Sequence, residues 1–276
     1  MCKADAGGLR NLMFLGANKV EFTTMPNDSG MKNPLFSVII PTLNEEARIG
    51  RLLQSLEKQS FKDFEIVVVD GGSSDNTAKV AEKFSAKVFV KKGCKEFPSR
   101  NIGAKLSNGN ILLFLSADVV LSLDALKNLA KEFEKDQDVS GVCGLGMPFD
   151  APLWMKIEYL FHWRLLRLWM KLTNDYHAST NFMVVRKGAF HKVGEFTDEI
   201  FADTIFFNKL GKKCNVKVLP KSLVFVSGRR AKKMGFARFT THFLWVFLFD
   251  YLPFLRKSSV VKFLQSYSSD YRARHQ

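Results

Sequence analysis

Several short stretches of this chain combine carboxylates, glycines and guanidinium groups in patterns that could handle a charged ligand. Pro41-Thr42-Leu43-Asn44-Glu45 and Asp70-Gly71-Gly72-Ser73 are polar turns, each ending a short apolar run. Ser116-Ala117-Asp118 follows another such run, and Phe201-Ala202-Asp203 precedes a helix-period segment. Ser227-Gly228-Arg229-Arg230 ends a further run. Its two guanidinium groups suit a diphosphate or a phosphate acceptor, because arginine pairs phosphate oxygens bidentately. Each candidate has a plain structural alternative. Arg100 could be a solvated surface arginine, Asp118 a turn residue, Asp203 a cap for a helix over 204–210, and Arg229-Arg230 a solvated basic turn.

Such turns act together only if a sheet brings them together. Residues 36–40 and 64–69 are rich in Val and Ile and apolar at successive positions, which suits strands buried on both faces. Between them Ile49, Leu52, Leu53 and Leu56 recur at helical spacing, which predicts a helix over about 44–59 packed on the sheet. This β-α-β unit places both turns just beyond the carboxyl ends of parallel strands, where open sheets collect ligands. The same reading predicts strands at 88–90, 111–115, 139–147, 182–186, 216–220 and 223–226. Helices are expected from about Asp75, from Pro98 to near Asn108, and over 123–133.

The pairing of Val-Ile-Ile-Pro-Thr-Leu-Asn-Glu-Glu at 38–46 with Val-Val-Val-Asp-Gly-Gly-Ser-Ser-Asp-Asn-Thr at 67–77 resembles glycosyltransferase family 2. The resemblance covers roughly 36–230. It implies an α/β fold of the GT-A type, Rossmann-like, with a mostly parallel central sheet and helices on both faces. It also implies an inverting transfer of sugar from a nucleotide-sugar donor, UDP- or GDP-linked. The chain then divides into a loosely ordered extension over 1–33, a transferase domain over 34–230 and a basic amphipathic segment over 231–276.

Carried over position by position, the resemblance makes Pro41, Thr42, Glu45, Asp70 and Gly71 donor-binding residues, with Glu45 and Asp70 holding the nucleoside. Arg100, in an Arg-Asn-x-Gly segment, lines the donor pocket. Ser116-Ala117-Asp118 stands where most members carry Asp-x-Asp, so Ser116 replaces the first carboxylate and Asp118 remains as the metal ligand. The implied cofactor is Mg²⁺ or Mn²⁺, a hard cation that wants oxygen ligands and would neutralise the departing diphosphate; one carboxylate with diphosphate oxygens and waters can still hold it. Val193-Gly194-Glu195-Phe196 and Ala202-Asp203 resemble the family's Gly-Gly-Phe and Glu-Asp pair, with Glu195 and Ala202 as departures. Asp203 aligns with the base that deprotonates an acceptor hydroxyl. His177 reads as structural.

The formal charge of +14 on 276 residues implies an anionic partner: nucleic acid, anionic lipid or a phosphorylated substrate. From Gly228 onward ten Lys or Arg face two Asp, a net +8, so more than half of the excess lies in the last part of the chain. There the basic residues are interleaved with Phe, Leu and Trp, which suits lipid better than a phosphate backbone, and nucleic acid is not expected as a partner. The longest stretch there without charge, histidine or Thr is 243–249, short of the roughly 20 residues a spanning helix needs. Attachment to the cytoplasmic face of a membrane, with a lipid or lipid-phosphate acceptor, is the expectation. A homodimer built on the same apolar face is the rival.

Residues 153–172 repeat this character. Leu153, Ile157, Leu160, Phe161, Leu165, Leu168 and Leu172 form one stripe, and Arg164, Arg167 and Lys171 form another. Such a helix lies in a membrane interface, or packs into the core with its basic tips in water. No export signal is expected, since 12–15 is the only apolar run near the start, and Met31 could be a natural start. Cys2, Cys94, Cys143 and Cys214 are too scattered for a disulfide framework. Ser116 and Ala202 keep a second class open, a relative that binds sugar nucleotide or lipid without transfer.

Overall fold

The two apolar runs expected as strands lie side by side in the middle of a nine-stranded sheet. The structure is a computed structural model that describes residues 11–15, 18–22, 33–199 and 201–229, with 234–238, 240, 241, 244 and 248 beyond them. Strands in chain order are β1 (Asn11–Leu15), β2 (Asn18–Phe22), β3 (Phe36–Thr42), β4 (Phe64–Asp70), β5 (Lys87–Val90) and β6 (Ile111–Phe114). There follow β7 (Val119–Leu121), β8 (Val139–Cys143), β9 (Gly146–Pro148), β10 (Met183–Arg186), β11 (Asn215–Val218) and β12 (Val224–Val226). The helices are α1 (Glu46–Glu57), α2 (Thr77–Glu82), α3 (Glu96–Leu106), α4 (Ala125–Lys135), α5 (Leu153–Thr173), α6 (Lys187–Val193) and α7 (Ala202–Lys213).

The large sheet runs β1-β2-β5-β4-β3-β6-β10-β8-β11, and β7-β12-β9 form a small second sheet. Strands β5, β4, β3 and β6 are mutually parallel, whereas β10 runs antiparallel to both neighbours. The chain steps outward from β3 through β4 to β5 and then returns to β6 on the other side of β3. The strand order reverses at the carboxyl ends of β3 and β6, the position at which open α/β sheets take their ligands.

Apolar character at successive strand positions has a direct cause: both faces are covered. Val38, Ile40 and Val68 share one apolar layer with Ile49, Leu52, Leu53 and Leu56 of α1 and Leu126, Leu129 and Phe133 of α4. Ile39, Val67, Val69 and Phe114 share the other with Ile102 of α3 and Phe206, Phe207 and Leu210 of α7. Within the second layer Phe97, Phe114, Phe190, Phe196 and Phe206 form a ring cluster with centroid separations between 4.9 and 5.6 Å.

Two expectations change. Residues 11–22, expected to be loosely ordered, supply β1 and β2. A sheet edge offers unpaired backbone groups, and β2 takes those of β5 through Glu21↔Val90 and Phe22↔Phe89. The single strand expected over 139–147 breaks into β8 and β9, in different sheets. A Cβ at Gly144 would lie 2.5 Å from the Phe182 ring, so the break is where that ring crosses the backbone.

Helix α5 has the expected extent, and most of the apolar stripe read from the sequence lies on its exposed side. Met155, Trp163, Leu166 and Met170 face inward. Leu153, Ile157, Leu160, Phe161, Leu168 and Leu172 are exposed, with Leu153 and Leu172 each at 72%. The basic Arg164 and Lys171 are exposed beside them. Where described, the residues beyond 231 touch the start of this helix: Thr240 donates to Glu158 at 2.8 Å and Phe236 stacks edge-on against Trp154. The rest of the expected basic amphipathic segment lies outside the described residues. Among the described residues no helix is long and apolar enough to cross a membrane. Cys94, Cys143 and Cys214 are free thiols.

Candidate active site

The turns after β3 and β4 are cross-braced into one wall. The Asp70 carboxylate accepts from Gly72 N at 2.8 Å, Ser73 N at 2.7 Å, Ser73 Oγ at 2.6 Å and Thr42 Oγ1 at 2.9 Å. Asn44, in the left-handed region at φ 54°, receives Ser74 N on its amide oxygen, and its own N–H donates to Ser73 Oγ. Glu46 accepts from Asn76 N, and Glu45 N donates to Thr77 Oγ1. Asp70 thus shapes the turn with both its oxygens, and Gly71 N closes it onto the Thr42 carbonyl at 2.8 Å. Gly72 sits at φ +97°, and a Cβ there would stand 3.1 Å from Lys92 Cα. Gly72→Ala should cost about 1–2 kcal/mol, read as a lower denaturant midpoint at unchanged slope.

Asp118 lies in the link between β6 and β7, and the pairing of β7 with β12 decides what it meets. The antiparallel register sets Val226 opposite Val119, so the chain after Val226 runs back past Asp118. Gly228 N donates to Asp150 Oδ1 at 2.5 Å, and a Cβ on Gly228 would lie 2.7 Å from Ala151 Cβ. That clamp delivers Arg229, whose Nη2 is 3.1 Å from Asp118 Oδ2 and 3.8 Å from Glu45 Oε1. Glu45 also pairs with Arg48 at 2.7 Å. These groups are partly exposed, so each pair contributes no more than about 1 kcal/mol to stability. Arg230 lies outside the described residues.

Arg100, a candidate for a solvated arginine, is fully buried. Its Nη1 donates to the Leu115 carbonyl at 2.9 Å, and its Nη2 to Ser116 Oγ at 3.2 Å and Glu96 Oε1 at 2.9 Å. It therefore acts through the turn that carries Asp118. A divalent cation held by protein needs several oxygen ligands. Here Ser116 offers a hydroxyl already engaged by a guanidinium, Asp118 faces Arg229, and among the described residues no three His, Cys, Asp or Glu side chains cluster. The residues present do not fit a cation held by the protein alone.

Asp203 is half-buried in the first turn of α7 and accepts from Thr180 N at 3.2 Å and Thr204 N at 2.9 Å. Burial pushes its pKa up to about 6, against the two N–H donors; Glu96 adds to the rise and Arg100 opposes it. Asp203 and Ser116 thus share the neighbourhood of Arg100. Ala202 is buried in the apolar layer. Gly194, at φ +102°, starts a turn whose Phe196 exchanges two hydrogen bonds with the Asn101 amide. His177 is buried against Asp175 at 3.0 Å, a structural arrangement. Sequence reasoning did not single out Glu96; its i,i+4 spacing from Arg100 was the available signal.

A mostly parallel sheet with carboxylates and guanidinium groups gathered at its carboxyl ends is an α/β domain of the GT-A type. The profile described as Glycosyl transferase family 2 matches residues 37–194, and the chain belongs to that family. Poly(ribitol-phosphate) beta-N-acetylglucosaminyltransferase TarS of Staphylococcus aureus is 36% identical over 127 residues, 41% of this chain and 22% of that protein. GalNAc(5)-diNAcBac-PP-undecaprenol beta-1,3-glucosyltransferase of Campylobacter jejuni is 33% identical over 106 residues, 36% of this chain and 34% of that protein. The chain thus matches only about a fifth to a third of these relatives' length. The solved structure of S. aureus TarS gives a TM-score of 0.56 at 26% identity, covering 72% of this chain and 38% of that one. Mannosyltransferase PcManGT from Pyrobaculum calidifontis, in complex with GDP-Man and Mn²⁺, gives 0.59 at 18% identity, covering 74% and 61%, a likeness of fold alone.

Proposed function

We propose that this chain is an inverting glycosyltransferase that moves a sugar from a UDP- or GDP-linked donor to a lipid-linked or polyprenyl-phosphate acceptor at the cytoplasmic face of a membrane. The observation that carries this reading is Arg100, which anchors the Ser116-Ala117-Asp118 turn and bears on the charge of Asp203. Donor side and acceptor side meet at one buried guanidinium. Pro41, Thr42, Glu45, Asp70 and Gly71 frame the nucleoside, and the diphosphate points toward Asp118 and Arg229.

The acceptor oxygen attacks the anomeric carbon from the side opposite the diphosphate. As the new C–O bond forms, the old one breaks and its electron pair leaves on the diphosphate oxygen. A hydroxyl acceptor gives its proton to Asp203; an ionised phosphate has none to give, and Asp203 then only orients it. Enzymes of this fold typically use Mg²⁺ or Mn²⁺ on the leaving diphosphate. Asp118 is the carboxylate that would share such a cation with the diphosphate, and Arg229 already stands beside it.

The lipid side rests on α5, whose exposed leucines and Phe161 lie beside Arg164 and Lys171. The Campylobacter relative is named for an acceptor linked to PP-undecaprenol. Phe161→Glu should weaken binding to anionic vesicles on the order of tenfold or more, as a flotation assay reads, since a buried Phe contributes roughly 1.5–3 kcal/mol. Unchanged flotation with a smaller particle on gel filtration would favour the homodimer instead.

A thermal-shift panel of UDP- and GDP-sugars tests the donor half, because a ligand that binds the folded chain raises its melting point. A rise with one nucleotide class, followed by transfer of its sugar, is the expected result. Binding without transfer or donor hydrolysis would establish the non-catalytic reading.

A further inference from the structure

We infer that Arg229 is the built-in cation of this site, taking the place of a divalent metal at the donor diphosphate. The inference rests on the donor-binding reading above and deepens it. Its ground is the register of the small sheet. Val226 is fixed opposite Val119, and Gly228 is clamped to Asp150 and Ala151, so the guanidinium arrives beside Asp118 by backbone geometry. It stands 3.1 Å from Asp118 and 3.8 Å from Glu45, between the turn after β3 and the turn after β6. That is beside the point where the strand order reverses, the place a bound diphosphate would reach.

The surrounding residues supply a fixed guanidinium and few side-chain ligands for a metal. A hard cation in the guanidinium's place would meet Asp118 and, farther off, Glu45, while the Ser116 hydroxyl is already engaged by a second positive charge, Arg100. An arginine needs no ligand set. It stays ionised at every physiological pH and offers parallel N–H donors to phosphate oxygens. Asp118 and Glu45 serve as its counter-ions while the site is empty of nucleotide. The diphosphate, with more charge and better bidentate geometry, then takes their place on the guanidinium.

Calorimetric titration of the full chain with UDP and with GDP, in EDTA and again in millimolar Mn²⁺, decides the matter. The expected result is binding of at least one of them with affinities that agree within about threefold between the two conditions. Arg229→Gln should weaken that binding on the order of 10- to 100-fold in EDTA, the range for losing a charge-assisted hydrogen bond, and Arg229→Lys should recover part of it. Binding that requires Mn²⁺ in the unsubstituted chain overturns the inference and leaves the donor-binding reading standing. Equal affinity in Arg229→Gln overturns it as well. If neither nucleotide binds in either condition, both the inference and the reading fall.

Discussion

Asp203→Asn should lower the transfer rate to a hydroxyl acceptor by about 10²- to 10⁴-fold, the usual contribution of a positioned base. The group is suited to the task because burial pushes its pKa up to about 6. It is ionised at neutral pH and still basic enough to accept a proton there. The rate should rise with pH through about 6 and then level off. With a phosphate acceptor the same substitution should cost less than about tenfold, since no proton is transferred. The pair of assays therefore reports the acceptor class as well as the base.

Asp203 also leaves a signature in stability. An exposed aspartate titrates near 3.8, and this one near 6 in the folded chain. The folded state holds its proton more tightly, so the associated stabilisation is fully present below about pH 3.8 and is lost as pH rises through about 6. Asparagine carries no such titration. The melting temperature of Asp203→Asn, relative to the parent chain, should therefore move in the variant's favour between pH 4 and 7.

Arg100→Ala should destabilise the fold by about 3–5 kcal/mol, combining a core cavity with a Leu115 carbonyl left without its donor. In a chain of this size that is a fall in melting temperature of roughly 10 °C. Glu96 is half-exposed and would simply regain water, so it adds little to the loss. Arg100→Met separates two roles. It refills the volume and should melt nearer the parent, but it no longer fixes the carbonyl of Leu115 or the hydroxyl of Ser116. Nucleotide affinity should fall in both variants if Arg100 positions the turn. A methionine variant with full affinity would reduce Arg100 to a packing residue.

The β3-α1-β4 unit was legible because its signals are local. A buried strand needs apolar residues on both sides, and the turn residues from Asn44 to Thr77 bond to one another as the ends of that unit. Other features depend on pairings between distant segments. Nothing in the sequence around Arg229 marks Asp118 as its partner, because β7 and β12 are more than a hundred residues apart and their register decides the contact. Arg100 lies on a helix of low amphipathicity, and only the packing of α3 on β3 and β4 encloses it. On α5 the apolar stripe was evident, yet leucines occur on more than one side. The sheet selected Trp163, Leu166 and Met170, which pattern alone could not single out.

The phenylalanine cluster gives the two ends of the reaction a common mounting. Phe114 ends the strand that leads into Ser116, Phe97 stands one turn before Arg100, and Phe206 stands one turn after Asp203. Close-packed rings tolerate little relative displacement. In the proposed reaction the spacing between the Ser116–Asp118 turn and Asp203 is therefore set when the chain folds, so neither side has to be drawn into place by its substrate.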